Sequence, residues 1–183
     1  IFTPDREALF YRICAGLAAA GANIIDARIH TTRDGMALDN LLVLDGRGCP
    51  YSDRRLRGRL AKSVEAALTS ASAPALPGGE LQRRSTAFEV APSVAIADRA
   101  STRTTVVEIN ARDRPALLAA LAAAIHACGH VIHSAHIATY GERAVDVFYL
   151  TRADGKKLTE EDGEQLRAAL LDAAREPAKA KAA

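Results

Sequence analysis

Residues 113–139 read DRPALLAALAAAIHACGHVIHSAHIAT, and residues 5–31 read DREALFYRICAGLAAAGANIIDARIHT. The two stretches keep step at an offset of 108 residues. Asp5-Arg6 falls on Asp113-Arg114, Ala8-Leu9 on Ala116-Leu117, Gly21 on Gly129, Ala27 on Ala135, Ile29 on Ile137 and Thr31 on Thr139. One residue drops out at the next turn, after which Ala37-Leu38-Asp39 matches Ala144-Val145-Asp146. A likeness of roughly 40 positions in each half signals two copies of one domain.

Hydrophobic periodicity gives both copies one plan. Leu9, Ile13, Leu17 and Ala20 step by three or four along one face of a helix, and Leu117, Leu121, Ile125 and Cys128 repeat the stripe. Gly21 and Gly129 stand where a helix takes a C-terminal glycine. Ile25, Ala27 and Ile29 alternate with Asp26, Arg28 and His30, as in a half-buried strand. A turn follows, marked by Asp34-Gly35 in the first copy and by Gly141-Glu142-Arg143 in the second. Residues 37–44 and 144–151 read as strands. Leu56, Leu60, Val64 and Ala67, and Leu166, Leu170 and Ala173, mark a second helix in each copy. Ahead of the second copy, TTVVEIN at 104–110 is a β-branched strand.

This order predicts an α+β protein of two ferredoxin-like βαββαβ units, each with helices on one face of an antiparallel sheet. The first unit covers 1–70 and lacks most of its first strand, because Ile1 aligns with Ile109. Residues 71–87, rich in Ala, Pro, Ser and Gly, are expected to be a flexible linker. The second unit covers 88–176, with FEVAPSVAI at 88–96 folding back as an edge strand against 104–110. Residues 177–183 are expected to form a disordered tail.

Composition narrows the class. Of 183 residues 49% are hydrophobic, which is a globular proportion, and only 4% are aromatic, so aliphatic side chains must build the core. A net charge of +2 calls for neither nucleic acid nor an anionic membrane. Cys14, Cys49 and Cys128 are sparse, odd in number and without a CxxC pattern, which suits reduced thiols and a cytoplasmic setting. No apolar run approaches the ~20 residues of a membrane span.

With these residues in view, VVEINARDRPALL (106–118) resembles the first strand and helix start of an ACT domain. IHSAHIATYGERAVDVFY (132–149) resembles the second ACT domain of bacterial bifunctional PII uridylyltransferase/uridylyl-removing enzymes, and residues 3–40 resemble the first. The resemblance implies a regulatory C-terminal pair of ACT domains that senses glutamine. It implies a parent enzyme that attaches UMP to the nitrogen-signalling protein PII and removes it, using magnesium and UTP in catalytic domains outside this chain. Those domains, PII indirectly and ACT–ACT self-association are the partners it implies. The family usually has glycine where this chain has Ala8 and Ala116, just inside the first helix.

A free amino acid needs donors for its carboxylate and acceptors for its ammonium. A helix N-terminus supplies unpaired N–H groups and partial positive charge. The candidate ligand-binding residues are therefore Asp113, Arg114, Pro115, Ala116 and Leu117, with Asp5, Arg6, Ala8 and Leu9 as the matched set. In this reading Asp113 accepts from the ammonium while the amides of Ala116 and Leu117 face the carboxylate. Asp5 and Asp113 also suit the role of helix N-caps, and one role does not exclude the other. Pro115, preset for a first helical turn, favours the second copy as the binding site. Glutamine is expected over glutamate, since only Arg112 and Arg114 are nearby cations.

The remaining motifs are less telling. His126, His130, His133 and His136 suggest a metal cluster, but alternation puts His130 and His136 on one strand face and His133 on the other, with no ligand partner at zinc spacing. No metal site is expected. Arg54, Arg55, Arg57 and Arg59 surround Leu56 and Leu60, as on a solvated helix face or one that docks on a negative surface. Asp39 and Asp146 sit at matched positions inside apolar strands, either as ligand or interface groups or exposed on an uncovered sheet face. No hydrolase, P-loop or nucleotidyltransferase pattern is present, so no catalysis is expected of this chain. A pure interaction or dimerisation module that binds no small molecule is the alternative to a sensor.

Overall fold

The computed structural model describes residues 1–70 and 90–175, so the linker expected at 71–87 and the tail expected at 177–183 lie outside the described residues. The first half contributes β1 (Phe2–Pro4), α1 (Leu9–Ala19), β2 (Asn23–Thr31), β3 (Met36–Leu44) and α2 (Arg54–Thr69). The second contributes β4 (Ser93–Ala97), a short 3-10 turn (Asp98–Ala100), β5 (Thr105–Arg112), α3 (Leu117–Ala127), β6 (His130–Tyr140), β7 (Arg143–Arg152) and α4 (Glu160–Ala174). Gly21 and Gly129, at φ +76° and +74°, follow α1 and α3 in the left-handed conformation that ends a helix cheaply only with glycine.

The strands form one antiparallel sheet in the order β1-β3-β2-β6-β7-β5-β4. Its right half, β6-β7-β5-β4, is a complete ferredoxin-like sheet. β4 stands beside β5 as expected, with Ser93 opposite Asn110 and Ala97 opposite Val106. In the left half β1 supplies three residues, pairing Phe2 with Leu38 and Pro4 with Met36.

The two halves are joined by β2 and β6. Ala27 faces Ile137, Ile29 faces Ala135, and Arg28 faces His136. Under the 108-residue offset Ala27 corresponds to Ala135, Ile29 to Ile137 and Arg28 to His136, so exchanging the halves leaves the pairing unchanged. The junction is a local two-fold axis through the Arg28/His136 pair, the isologous arrangement of a homodimer built inside one chain. α1 and α3 pack together across the axis, with α2 and α4 outside them.

Burial follows from that axis. Leu9, Ile13 and Leu17 of α1 join Ala37 and Val64 in a small core belonging to the first half. Phe10, Tyr11, Cys14 and Ala15, on the rest of α1, enter a larger core with Ala27, Ile29, Leu121, Ile125, Ile137 and Phe148. α1 is thus buried nearly all round, the mark of a helix between two partners. At its crossing with α2, a Cβ placed on Gly16 would meet the Val64 backbone at 2.9 Å, and Ser63 donates to the Gly16 carbonyl at 2.7 Å.

Matched β-bulges correct the simple alternation. The register shifts between Ile24 and Asp26 in β2 and between Ile132 and Ser134 in β6, placing an extra residue at Ile25 and at His133. Ile24, not Ile25, therefore packs on the core with Ala27 and Ile29. For the same reason His130 and His136 do not share a face. His130 is buried on the helix side, while His136 is exposed with its ring 6.1 Å from that of Tyr149. His133 stands 2.8 Å from the Thr151 hydroxyl.

Candidate functional site

The two turns that open the first helices are near-copies of each other. Asp5 N–H donates to the Gly35 carbonyl and Asp113 N–H to the Glu142 carbonyl, both at 2.8 Å, tying each turn to the hairpin of its own half. Leu9 N–H donates to the Arg6 carbonyl and Leu117 N–H to the Arg114 carbonyl, both at 3.1 Å. The N-cap residues are Ala8 and Ala116, not Asp5 and Asp113, and neither helix has a side-chain cap. Both alanines lie in the left-handed region, at φ 58° and 60°, where a Cβ costs about 1–2 kcal/mol. They precede the first helical turn instead of standing inside it, and Pro115 lies one residue further out. The amides of Leu9 and Leu117 are used within the turn. Those of Phe10, and of Leu118 and Ala119, fall among the first-turn donors for which a helix has no acceptor.

The arginines of the two sets serve the scaffold. Arg6 donates to the Leu68 carbonyl at 2.7 Å and Arg114 to the Ala173 carbonyl at 2.6 Å, each closing the C-terminus of the second helix in its half. Arg12 adds bonds to the carbonyls of Ala67 and Ser70. Arg112 pairs with Glu142 at 3.3 Å. Arg54, Arg55, Arg57 and Arg59 are exposed along α2.

Each turn opens into a crevice completed by the other half. On the first side, Asp5–Tyr11 and Asp39 face Ala122, His126, His130 and Val131. On the second, Asp113, Arg114, Ala116–Ala119 and Asp146 face Cys14, Ala18, Ala22 and Asn23. The offset maps one lining onto the other, except that Glu7 lines the first crevice while its counterpart Pro115 does not line the second. Their room differs. The first crevice holds about 320 Å³ and the second about 20 Å³, space for one water. The difference shows in the aspartates at the turns. Asp5 accepts from Thr31 of its own half at 3.0 Å, whereas Asp113 accepts from Asn23 across the axis at 3.4 Å, drawing the second crevice shut.

Asp39 and Asp146 complete the pair. Both point to the helix side of the sheet, 1% and 2% exposed, so they do not lie on the uncovered face. Neither oxygen of Asp39 has a partner among the described residues, and Oδ1 of Asp146 has none. Burial pushes the Asp39 carboxyl up to about 6, and burial together with the charge of Asp113 pushes Asp146 up to about 7. A buried acceptor without a donor costs about 1–3 kcal/mol, more if charged. Each crevice therefore sets an unsatisfied carboxylate beside a helix start that offers N–H groups, which is the complement of a zwitterion. Cys14, which lines the second crevice, is fully buried, and its thiol is raised by burial and by both aspartates. The repeat marked Asp39 and Asp146 as matched. Their face followed from phase, since Ala37 and Ala144, two residues earlier, are core residues.

No family model matches the chain. It is 46% identical over 178 residues to the bifunctional uridylyltransferase/uridylyl-removing enzyme of Erythrobacter litoralis, covering 95% of the chain and 19% of that protein. It is 48% identical over 164 residues to that of Novosphingobium aromaticivorans, covering 88% and 18%, and 42% identical over 187 residues to that of Azospirillum brasilense, covering 97% and 20%. An aspartate kinase structure from Synechocystis aligns with 90% of the chain and 24% of its own at 18% identity and a TM-score of 0.48, too slight a likeness to carry an argument. The chain spans about a fifth of the length of these curated relatives. Over nearly all of its own length the chain is thus similar in sequence to bifunctional uridylyltransferase/uridylyl-removing enzymes, matching about a fifth of each, and its fold is built of two ferredoxin-like units.

Proposed function

We propose that this chain is an allosteric amino-acid-sensing module, that its ligand is glutamine, and that it sets the balance between the two activities for which its relatives are named. The observation that carries this reading is Asp39, a buried carboxylate without a partner at the wall of a crevice of about 320 Å³, beside the start of α1. The ligand ammonium pairs with Asp39, and the ligand carboxylate takes the first-turn amides of α1 and the positive end of its dipole. The volume is at the small end of the range for ligand pockets, in keeping with a single amino acid. Asp5–Leu9 is thus the preferred site in place of Asp113–Leu117, whose crevice has room for one water.

Regulation follows from where the ligand sits. It touches both halves, so its binding energy goes into fixing how they stand about the β2–β6 axis. Catalysis, with magnesium and UTP, belongs in this reading to other parts of the parent enzyme. PII is then an indirect partner through those domains.

A second reading, an interaction module without a small-molecule ligand, is favoured by one observation. Ala8 and Ala116 bring a Cβ to the place where the family's glycine lets a ligand approach. The test is to measure uridylylation and deuridylylation of PII by the full-length enzyme across a glutamine titration. Asp39→Asn is expected to leave both basal rates in place and to shift the response by roughly 10-fold or more, the loss of a charged pair. An unshifted response removes Asp39 from the site.

A further inference from the structure

The open and closed crevices share their backbone and their buried aspartates, but not the rings around them. The open one has Tyr11, His126 and His130 where the closed one has Ala119, Ala18 and Ala22. The rings are built in. Tyr11 stacks on His126 with centroids 6.3 Å apart and planes 23° apart. His130 is 8% exposed, and its Nδ1 is buried with no partner among the described residues.

We propose that the Tyr11–His126–His130 wall selects the ligand's side chain, taking a neutral primary amide in preference to a carboxylate. The inference rests on the amino-acid reading above and goes beyond it, because it assigns the choice between glutamine and glutamate to residues outside the helix-start sets. A neutral imidazole carries one donor and one acceptor nitrogen, and a phenol donates and accepts through one oxygen. A primary amide has both kinds of group and satisfies such a wall. A carboxylate only accepts, so it leaves an imidazole acceptor unmatched and finds no cation. Unpaired polar groups of this kind are what allow a buried site to reject a near-isostere strongly.

The charges around the wall set its pH dependence. Asp39 and Asp5 line the same crevice, with Glu7 and Arg6 in the turn, and Arg6 is committed to Leu68. On the far side, Asp162 favours the charged form of His130 and Arg152 opposes it. Burial, the largest influence, lowers its pKa from the ordinary value. The ring is therefore neutral at pH 8 and becomes charged in acid, where it supplies the donor and the positive charge that glutamate lacks at neutral pH. Asp39 also titrates in acid, but it meets the ammonium common to both ligands, so its protonation weakens both and leaves their ratio unchanged.

The experiment is calorimetric titration of L-glutamine and L-glutamate into the full-length protein at pH 8 and pH 5.5. The wild type, His130→Ala, His126→Gln/His130→Gln and Tyr11→Phe are compared. The wild type is expected to prefer glutamine at least about tenfold at pH 8, or ~1.4 kcal/mol, and to prefer it less at pH 5.5. His130→Ala should lose the preference at both pH values. The double glutamine variant, polar but never charged, should keep it at both, which separates the proposal from a merely structural role. Glutamine binding with an unchanged glutamine-to-glutamate ratio in every variant and at both pH values overturns this inference and leaves the sensing reading intact. Binding of neither amino acid by the wild type overturns both.

Discussion

Asp146 gives the sharpest test of the buried carboxylates, because its crevice has no room for a ligand to compensate it. It is 2% exposed, Oδ1 has no partner among the described residues, and its carboxyl is pushed up to about 7 from an ordinary 3.8 by burial first and by Asp113 second. The sign follows from linkage. Below about pH 4 the carboxyl is protonated in both folded and unfolded chains, and there is no penalty. Between pH 4 and 7 the unfolded chain releases its proton while the folded one holds it, so stability falls as pH rises. Above 7 the loss is constant. Three units at about 1.4 kcal/mol each set an upper limit of ~4 kcal/mol. For a chain of this size that is about 8–16 °C in Tm. Asp146→Asn keeps the shape and removes the ionisation. Any cost of burying the amide is common to all pH values and cancels when pH 8 is compared with pH 4. Thermal and guanidinium unfolding of wild type and variant should show the variant gaining several kcal/mol on the wild type between pH 4 and pH 8. A stability difference that does not change with pH would refute the reasoning.

Other perturbations address the scaffold. Ala8→Gly and Ala116→Gly relieve the left-handed alanines at φ 58° and 60° and should each stabilise the chain by about 1 kcal/mol, read as a rise in Tm. Gly16→Ala drives a Cβ against the Val64 backbone at 2.9 Å and should cost about 1–3 kcal/mol in denaturant unfolding. The matched change Ala124→Gly removes no such clash and should cost no more than the helix propensity of glycine, about 1 kcal/mol.

The repeat and its periodicities made most of the fold legible. The order of elements, the glycines after α1 and α3, and β4 beside β5 all follow from local pattern and from counting strands. Two features did not. A bulge changes neither composition nor hydrophobicity, so the face of His130 could not be read from alternation through His133. The joining of β2 to β6 is a contact between halves, and a single sequence carries no direct sign of it. The indirect sign was Phe10 and Cys14, a second apolar stripe on α1 beside the Leu9–Ile13–Leu17 stripe. At the candidate site, the helix starts were proposed from their chemistry. Arg6 and Arg114 were not recognisable as caps, because the carbonyls they meet are 62 and 59 residues away. Asp39 and Asp146 were visible as matched acids, but their lack of partners is a property of the packed core.

The central claim is that one zwitterion binds beside Asp39 and none beside Asp146. Calorimetry of L-glutamine against wild type, Asp39→Asn and Asp146→Asn at pH 7.5 tests it directly. One ligand per chain is expected in the wild type, the same in Asp146→Asn, and binding weakened by at least about tenfold in Asp39→Asn. Undiminished binding in Asp39→Asn, or binding lost only in Asp146→Asn, would contradict it.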